Sequence, residues 1–377
     1  MGTKPQPLFS TLEKLSMKKT LIALAALAST AAFAQSSVTI SGRIDLGHAN
    51  LKTTTSPTDG GAATLAQTVK SSSLAGDEQG RTTSRLTFSG VEDLGGGLKA
   101  SFNYETRLTP DNVATPGMDR TRNMFLNLSG GFGGVTIGTF LNSVDTLRGY
   151  SAGTYSAAGG DFLPDHGGLS GRSTNAIAYR SPSFGGVVVA VGLTNESTQT
   201  TVGTVTNDAK TSGNLVAATY NAGPLSVHAV AASAKRTATP VTGKQSTNGV
   251  AVSYDIGMAK PYFMIETGKT TADTTASGTN TKYSAWELGA TFPMGAFTPY
   301  VLFGNGKIKG HTNNVLDNER KTSAFQVGTT YALSKRTYVY GSVGQQKNTQ
   351  QLNAATAAAN RTAIKESGYK LGLVHSF

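Results

Sequence analysis

The sequence predicts an all-β protein, a sixteen-stranded antiparallel barrel that crosses a membrane. Three observations predict this fold. Apolar and polar residues alternate with a period of two after residue 35, and the segments between the alternating stretches are short and long by turns. Only 38% of the residues are hydrophobic, and no helix-length apolar run follows residue 35. A period of two gives each strand one apolar and one polar face, which suits a wall between lipid and water.

The chain is expected to begin with segments that do not belong to this barrel. Residues 17–34 have a basic start at Met17–Lys19, a short apolar run and an A-x-A sequence ending at Ala34, which is typical of a secretory signal peptide cleaved near Ala34. The apolar run is shorter than the roughly 20 residues of a membrane-spanning helix. We interpret residues 1–16 as an upstream extension outside the native structure. The single domain is then 35–377, and loss of four Lys and one Glu lowers the net charge from +11 to +8.

The alternation defines the individual strands. It is clear in Val38–Leu46, Leu98–Tyr104 and Trp286–Phe292, where every second residue is apolar. The last such stretch starts at Tyr369 and finishes on the terminal Phe377. Because the side chains of a strand point alternately to opposite faces, each stretch predicts one strand with a lipid face and a water face.

The connections predict how the strands are arranged. Short, mostly glycine-rich connections such as Glu92–Gly97 and Gly130–Gly134 alternate with long polar ones. Outer-membrane barrels have short periplasmic turns and long external loops. Eight long loops and seven internal turns give sixteen strands, enough to leave an aqueous channel. An open sheet would expose unpaired edge amides to lipid. The predicted long loops are 51–80, 108–119, 141–172, 194–213, 235–246, 269–281, 305–320 and 346–362.

The composition excludes several kinds of site chemistry. The chain has no cysteine, which excludes disulfides, thiolate zinc sites, Fe–S clusters and a cysteine nucleophile. Its five histidines are far apart in sequence, so we expect no metal site, and nothing in the sequence calls for a cofactor. Gly268-Lys269-Thr270 lacks the earlier glycine of a phosphate-binding loop, because Phe263 stands there. We therefore expect a protein that is not an enzyme.

Five groups of residues stand out along residues 38–377: Ser84-Arg85-Leu86 with Glu92–Ala100, Gly130–Gly133, Asn175–Tyr179 with Ser181-Pro182, Leu333–Thr337 and Gly372–Phe377. Together, and in this order, they resemble motifs of the Gram-negative general (trimeric) porins. The resemblance implies a sixteen-stranded trimeric barrel in the outer membrane and passive diffusion of small hydrophilic solutes and ions. It also implies a third external loop folded into the lumen, and a terminal Phe377 that the outer-membrane assembly machinery reads as a signal.

The same resemblance makes 141–172 the constriction loop. Its segment Phe162–Gly168 is similar to the Pro-Glu-Phe-Gly-Gly turn of related porins, with Asp165 where they have Glu. His166 is the one histidine there that could titrate near neutral pH and change conductance. The charged or titratable residues expected in this loop are Asp145, Arg148, Asp161, Asp165, His166 and Arg172.

Basic side chains are expected on the opposing wall of the pore. Alternation places Arg43, Arg85, Lys99, Glu105 and Arg107 on the water-facing side of early strands. A basic wall facing an acidic loop produces a transverse field, which low-dielectric walls focus. Because basic groups outnumber acidic groups along the pore, we expect anions to permeate preferentially.

Two positions depart from the pattern of the resembling family. Many relatives have Gly-Arg-Gln or similar where this chain has Gly138-Thr139-Phe140, so one wall arginine is absent. Arg122 stands at a position that is basic in the family. It nevertheless shares its alternation with the lipid-facing Met124 and Leu126, so it lies either above the membrane or on a β-bulge that turns it inward.

Other functions fit the barrel less well. A substrate-specific channel is the nearest alternative. An outer-membrane barrel enzyme would need a nucleophile with a positioned base, which the isolated histidines do not favour. An adhesive barrel is compatible with the Thr/Asn-rich loops, but a wide lumen would serve no purpose there. The expected partners are two further copies of the chain, outer-membrane lipid and lipopolysaccharide, the assembly machinery and small hydrophilic anions. Lys and Arg form no basic stripe, so we expect no nucleic acid.

Overall fold

A computed structural model describes residues 37–57, 66–74, 83–109, 117–153, 169, 171–202, 205–238, 241–273, 278–313, 315–352 and 361–377. The proposed leader and its cleavage site lie outside the described residues. One short helix, α1 (Ser143–Arg148), accompanies a single antiparallel sheet. The strands are β1 (Ser37–Pro57), β2 (Gln67–Leu74), β3 (Arg85–Gly95), β4 (Leu98–Thr109), β5 (Gly117–Gly130), β6 (Gly133–Leu141), β7 (Arg172–Arg180), β8 (Val187–Val202), β9 (Val205–Ala222), β10 (Leu225–Ala238), β11 (Val241–Tyr254), β12 (Lys260–Asp273), β13 (Gly278–Thr291), β14 (Phe297–Thr312), β15 (Val315–Ala332), β16 (Thr337–Leu352) and β17 (Arg361–Ser376).

The sheet closes on itself into a barrel. β1 pairs with β17 over a register that begins with Arg43 opposite Ser376. On its other edge, the beginning of β1 pairs with β3 and its later part pairs with β2. β2 and β3 therefore lie end to end and act as one barrel strand. The seventeen strand segments form a closed sixteen-stranded antiparallel barrel, which confirms the fold predicted from the sequence.

Burial alternates from residue to residue along much of β13, β14 and β15, so that one face of each strand is buried and the other is exposed. On β13, Trp286 and Leu288 are exposed, whereas Ala285 and Glu287 are almost completely buried. Successive side chains of a strand point to opposite faces, so the exposed apolar side chains form an outer surface, the apolar belt. The buried polar side chains line the inner face of the barrel. No helix within the described ranges is long and apolar enough to span a membrane.

The strands are longer than the sequence predicts. β8 and β9 together cover nearly all of the predicted loop 194–213, and β1 continues to Pro57. These segments are rich in Thr, Ser and Asn and lack apolar alternation. Thr is well suited to a pleated sheet, and pairing with the neighbouring strand satisfies the backbone even beyond the apolar belt. The predicted loop boundaries were therefore wrong there, although the number of strands was right.

Inward-facing tyrosines lie directly opposite glycines on the neighbouring strand. The absence of a Cβ at the glycine leaves room for the ring, because a Cβ there would collide with the tyrosine side chain. Tyr262 donates to Glu287 Oε1 at 2.6 Å, and Tyr300 donates to Gln326 Oε1 at 2.7 Å. Covering a strand glycine with an aromatic ring fixes the register locally. The pairs are Tyr262–Gly289, Tyr283–Gly268, Tyr300–Gly328 and Tyr340–Gly372.

The seam between the first and last strands has an additional side-chain contact. The Tyr340 hydroxyl on β16 donates to Asp45 Oδ1 on β1 at 3.1 Å, reaching across β17. At the short-turn end, the amide of Phe377 donates to the carbonyl of Gly42, and the amide of Gly42 donates to the carbonyl of Phe377. The chain terminus thus continues the β1–β17 pairing.

Candidate pore constriction

Three arginines converge on one carboxylate at the inner face of the barrel. Arg122 Nε donates to Glu105 Oε1 at 2.6 Å, and Arg85 donates to Glu105 Oε2 at 3.0 Å. A guanidinium nitrogen of Arg172 lies 3.5 Å from Glu105 Oε1. The Glu105 side chain is only 8% exposed, whereas those of Arg85 and Arg172 are 27% and 22% exposed. The carboxylate is therefore covered, and the basic groups face the water. We call Arg85, Glu105, Arg122 and Arg172 the arginine cluster.

A β-bulge brings Arg122 into this cluster. Glu105 of β4 pairs with Asn123 of β5, but the next residue, Thr106, pairs with Thr121. Arg122 is thus the extra residue on β5, and an extra residue reverses the side to which the preceding residues point. Of the two positions that the sequence leaves open for Arg122, the structure therefore shows the β-bulge that turns it inward.

Arg172 belongs to the wall as well as to the end of the loop. It is the first residue of β7, and its Nε donates to Asn123 Oδ1 at 3.0 Å. This bond directs the guanidinium towards Glu105. Arg172 thus adds a third guanidinium to those of Arg85 and Arg122.

Of the other basic residues predicted on strands β1 to β4, Arg43 and Arg107 lie in the same row as Arg85, whereas Lys99 does not. Register places Arg43 of β1 and Arg107 of β4 on either side of Arg85. Arg43 Nε donates to the carbonyl of Thr83 at 3.2 Å. Lys99 lies near the turn at the beginning of β4, six residues from Glu105, which is about 20 Å along a strand. Lys99 is therefore not part of the arginine cluster.

The beginning of the predicted constriction loop packs against the inner face. Asn142 caps helix α1, because its side-chain oxygen accepts the amides of Val144 and Asp145. Val144 and Leu147 are each 1% exposed. A Cβ at Gly249 on β11 would collide with Leu147, so this glycine leaves the space that the helix occupies.

Hydrogen bonds hold the same segment to strands across the barrel. His228 Nε2 on β10 lies 2.8 Å from the carbonyl oxygen of Ser143, which can only accept, so Nε2 is the donor. The amide of Ala152 donates to the hydroxyl of Tyr262 on β12 at 3.1 Å. The described part of the loop thus lies against the inner face of β10–β12, opposite the side that carries the apolar belt.

Helix α1 carries charges towards the arginine cluster. Burial raises the pKa of Asp145 above its ordinary value, although the guanidiniums of Arg148, Arg172 and Arg122 oppose that shift. Asp145 therefore loses its charge at a higher pH than an exposed aspartate. Arg148 lies in the last turn of the helix. The other predicted loop residues, Asp161, Asp165 and His166, lie outside the described residues.

The arrangement can act on ions electrostatically. Three guanidiniums and one carboxylate give the arginine cluster a formal charge of +2. Fixed charges on a low-dielectric wall repel cations and attract anions in the adjoining water. Within the parts of the chain that the structure describes, no group of three His, Asp or Glu side chains could hold a metal ion. The alternation of apolar and polar residues along β4 already placed Glu105 on the inner face. Its role as the acceptor shared by three arginines depends on how β4 pairs with its neighbours, which the sequence does not reveal.

Comparisons with known proteins agree with the barrel fold. The sequence profile of Gram-negative porins matches residues 20–351. Outer membrane porin protein 32 of Delftia acidovorans is 30% identical over 388 residues, covering 96% of this chain and 100% of that protein. The solved anion-selective porin from Comamonas acidovorans is 25% identical, with a TM-score of 0.63 over 91% of this chain and 100% of its own. The trimer form of OmpT from Vibrio cholerae, 16% identical, has a TM-score of 0.58 over 91% and 99% of the two chains. This chain therefore belongs to the family of Gram-negative porins.

Proposed function

We propose that this outer-membrane porin lets small hydrophilic solutes diffuse passively and prefers anions to cations, without covalent chemistry. The observation that carries the proposal is the convergence of Arg85, Arg122 and Arg172 on the single carboxylate of Glu105. The solved relative from Comamonas acidovorans is described as anion-selective, which supports the same preference here.

The charge balance of the arginine cluster explains the expected preference. One carboxylate neutralises one guanidinium and holds all three in place, so the two remaining positive charges act on the passing ion. Each unit charge is worth about 0.7 kcal/mol to an ion about 6 Å away in bulk water. A charge of +2 therefore favours a monovalent anion and disfavours a monovalent cation by similar amounts.

We further propose that the whole loop 141–172 folds into the lumen and narrows it. The burial of Val144 and Leu147 against the inner face supports this for the beginning of the loop. Asp145, Asp161 and Asp165 would then face the wall that carries Arg43, Arg85, Arg107 and Arg122. The rim with the long connections would face the cell exterior, as is usual for outer-membrane barrels.

Self-association and assembly complete the proposal. We propose a homotrimer, in keeping with the resemblance to general porins, and propose that the assembly machinery recognises the terminal Phe377. Phe377 is 45% exposed at the short-turn end, which leaves its side chain accessible to such a partner. Cleavage of the signal segment 17–34 near Ala34 would precede assembly. Native mass spectrometry of the extracted protein measures both the subunit number and the mature mass.

A planar-bilayer recording tests the channel and its selectivity. The purified protein is expected to insert in discrete conductance steps, and a tenfold KCl gradient is expected to give a reversal potential of the sign set by chloride. A reversal potential of the opposite sign would contradict anion preference, and a protein that inserts without conductance steps would contradict the channel.

A further inference from the structure

The hydroxyl of Tyr262 on β12 joins the barrel wall to the beginning of the predicted constriction loop. It donates to Glu287 Oε1 on β13 at 2.6 Å, and the backbone amide of Ala152 donates to it at 3.1 Å. All three residues are buried, so water competes little for these groups and each hydrogen bond is correspondingly strong. One oxygen atom thus connects two strands of the wall with the loop.

The chemistry of the three groups fixes the direction of both bonds. The Glu287 carboxylate accepts the only hydroxyl proton of Tyr262, which leaves the lone pairs of the oxygen for another donor. The Ala152 amide can only donate, and it takes that place. Glu287 therefore orients the hydroxyl as an acceptor, and the hydroxyl in turn holds the backbone of the loop.

Ala152 lies where the loop leaves helix α1. The helix ends at Arg148, and the amide of Ser151 donates back to the carbonyl of Arg148 at 3.1 Å. The next backbone amide, that of Ala152, points instead to Tyr262 on the wall. The bond to Tyr262 thus holds the chain at the point from which the remainder of the loop continues.

Helix α1 does not fix that direction by itself. It has six residues, whereas an isolated helix needs about 12–15 residues to be even marginally stable in water. Its buried side chains, Val144 and Leu147, come before its end. The hydroxyl of Tyr150 lies 2.8 Å from a hydroxyl on β10, but a side chain with rotatable bonds leaves the backbone freer to turn than a bond to the backbone itself. The bond from Ala152 to Tyr262 therefore restrains the backbone directly.

A second inward tyrosine shows what the wall alone requires. The ring of Tyr340 on β16 lies against a glycine of the next strand, and its hydroxyl donates to a carboxylate, Asp45 Oδ1, at 3.1 Å. The ring of Tyr262 also lies against a glycine of the next strand, and its hydroxyl also donates to a carboxylate. The bond from Ala152 is an addition to this shared arrangement, and it connects Tyr262 with the loop.

We propose that Tyr262, oriented by Glu287, is a positioning residue that sets the course of the loop 141–172 across the lumen and so steadies the current of the open channel. This inference rests on the proposed inward folding of that loop. Loss of the hydroxyl removes one buried hydrogen bond to the loop, which is expected to raise the ratio of released to held loop about fivefold. A loop that leaves and regains the wall changes the free cross-section of the lumen, so the open-channel current is expected to fluctuate more.

The test places a spin label beside this hydrogen bond. The chain has no cysteine, so Gly153→Cys provides a single labelling site next to Ala152. The labelled porin in detergent, called the parent, is compared with the same labelled protein carrying Tyr262→Phe or Tyr340→Phe, which both lose a hydroxyl and keep the ring. Electron paramagnetic resonance measures the ratio of mobile to immobile label. This ratio is expected to rise about fivefold in Tyr262→Phe and to stay within about twofold of the parent in the control, Tyr340→Phe.

Three results would overturn the inference. They are an unchanged label ratio in Tyr262→Phe, an equal rise of that ratio in Tyr340→Phe, and equal open-channel current noise in the two variants in planar bilayers. Both variants lose one bond from a hydroxyl to a carboxylate, so their urea midpoints are expected to fall alike, and the label and the noise separate a positioning role from a structural one. The label ratio does not require an open channel, so a parent without conductance steps would contradict the proposed function alone.

Discussion

Reversing the charge of Arg85 is expected to remove most of the anion preference. The substitution Arg85→Glu lowers the formal charge of the arginine cluster from +2 to zero. At about 6 Å in water, each unit charge contributes about 0.7 kcal/mol, which a Debye length of about 10 Å in 0.1 M KCl reduces to about 0.4 kcal/mol. Chloride loses and potassium gains this energy, so two charges change the permeability ratio by about 1.5 kcal/mol, or about tenfold.

A graded series makes the test quantitative. Arg85→Gln removes one charge and is expected to lower the chloride-to-potassium permeability ratio by three- to fourfold, about the square root of the effect of Arg85→Glu. The matched control is Lys260→Glu, which makes the same charge change at the exposed short-turn end of β12 and is expected to alter the ratio by less than about twofold.

The assay is the reversal potential in a gradient around 0.1 M KCl, measured on channels whose conductance steps show that they are open. Low-dielectric walls strengthen the field of the cluster, so tenfold is the lower limit of the expected change. A ratio that stays within twofold of the wild type in Arg85→Glu channels would refute the assignment of the arginine cluster to the selective part of the pore.

Three further outcomes are expected. Glu105→Gln raises the cluster charge to +3, so anion preference should increase three- to fourfold in 0.1 M KCl; an unchanged reversal potential would contradict this. Gly289→Ala places a Cβ against the Tyr262 ring, and the barrel should lose about 1–3 kcal/mol of stability, read as a lower urea midpoint than in the matched Gly131→Ala turn variant, whose added Cβ meets open space. Acidification protonates Asp145, whose raised pKa places this step above that of an exposed aspartate. The loss of a negative charge should raise anion preference as pH falls, and Asp145→Asn should reduce that dependence; equal pH profiles would count against it.

The strand count was predictable because two independent patterns agree on it. Alternation fixes which residues share a face, and the alternation of short and long connections fixes the antiparallel order. Neither pattern predicts where the strands end near the long connections. Beyond the apolar belt both faces meet water, so the Thr-rich ends of β8 and β9 show no apolar alternation although they pair along their whole length.

The arginine cluster was only partly predictable, for a related reason. Parity is reliable while the register is regular, and it placed Arg85 and Glu105 on the same inner face. The bulge at Arg122 adds one residue to β5 and reverses the inward–outward alternation of its side chains there. The sequence alone left two positions open for Arg122, and the bulge was one of them. Arg172 was expected in the loop, and its part in the wall depends on the contact with Asn123, two strands away in sequence order.

The seam of the barrel bears on the order of events during assembly. The hydrogen bond from Tyr340 to Asp45 joins residues 295 positions apart, and the β1–β17 pairing next to it forms only when the end of the chain is in place. Until then, β1 and the growing end of the sheet each present a row of unpaired amides, which cannot enter lipid without a cost of several kcal/mol per group. Contacts of such sequence separation also form slowly, because the long intervening chain must be closed first. We therefore expect entry into the bilayer to be coupled to completion of the hairpin β16–β17, and a partly built barrel to stay outside the hydrocarbon.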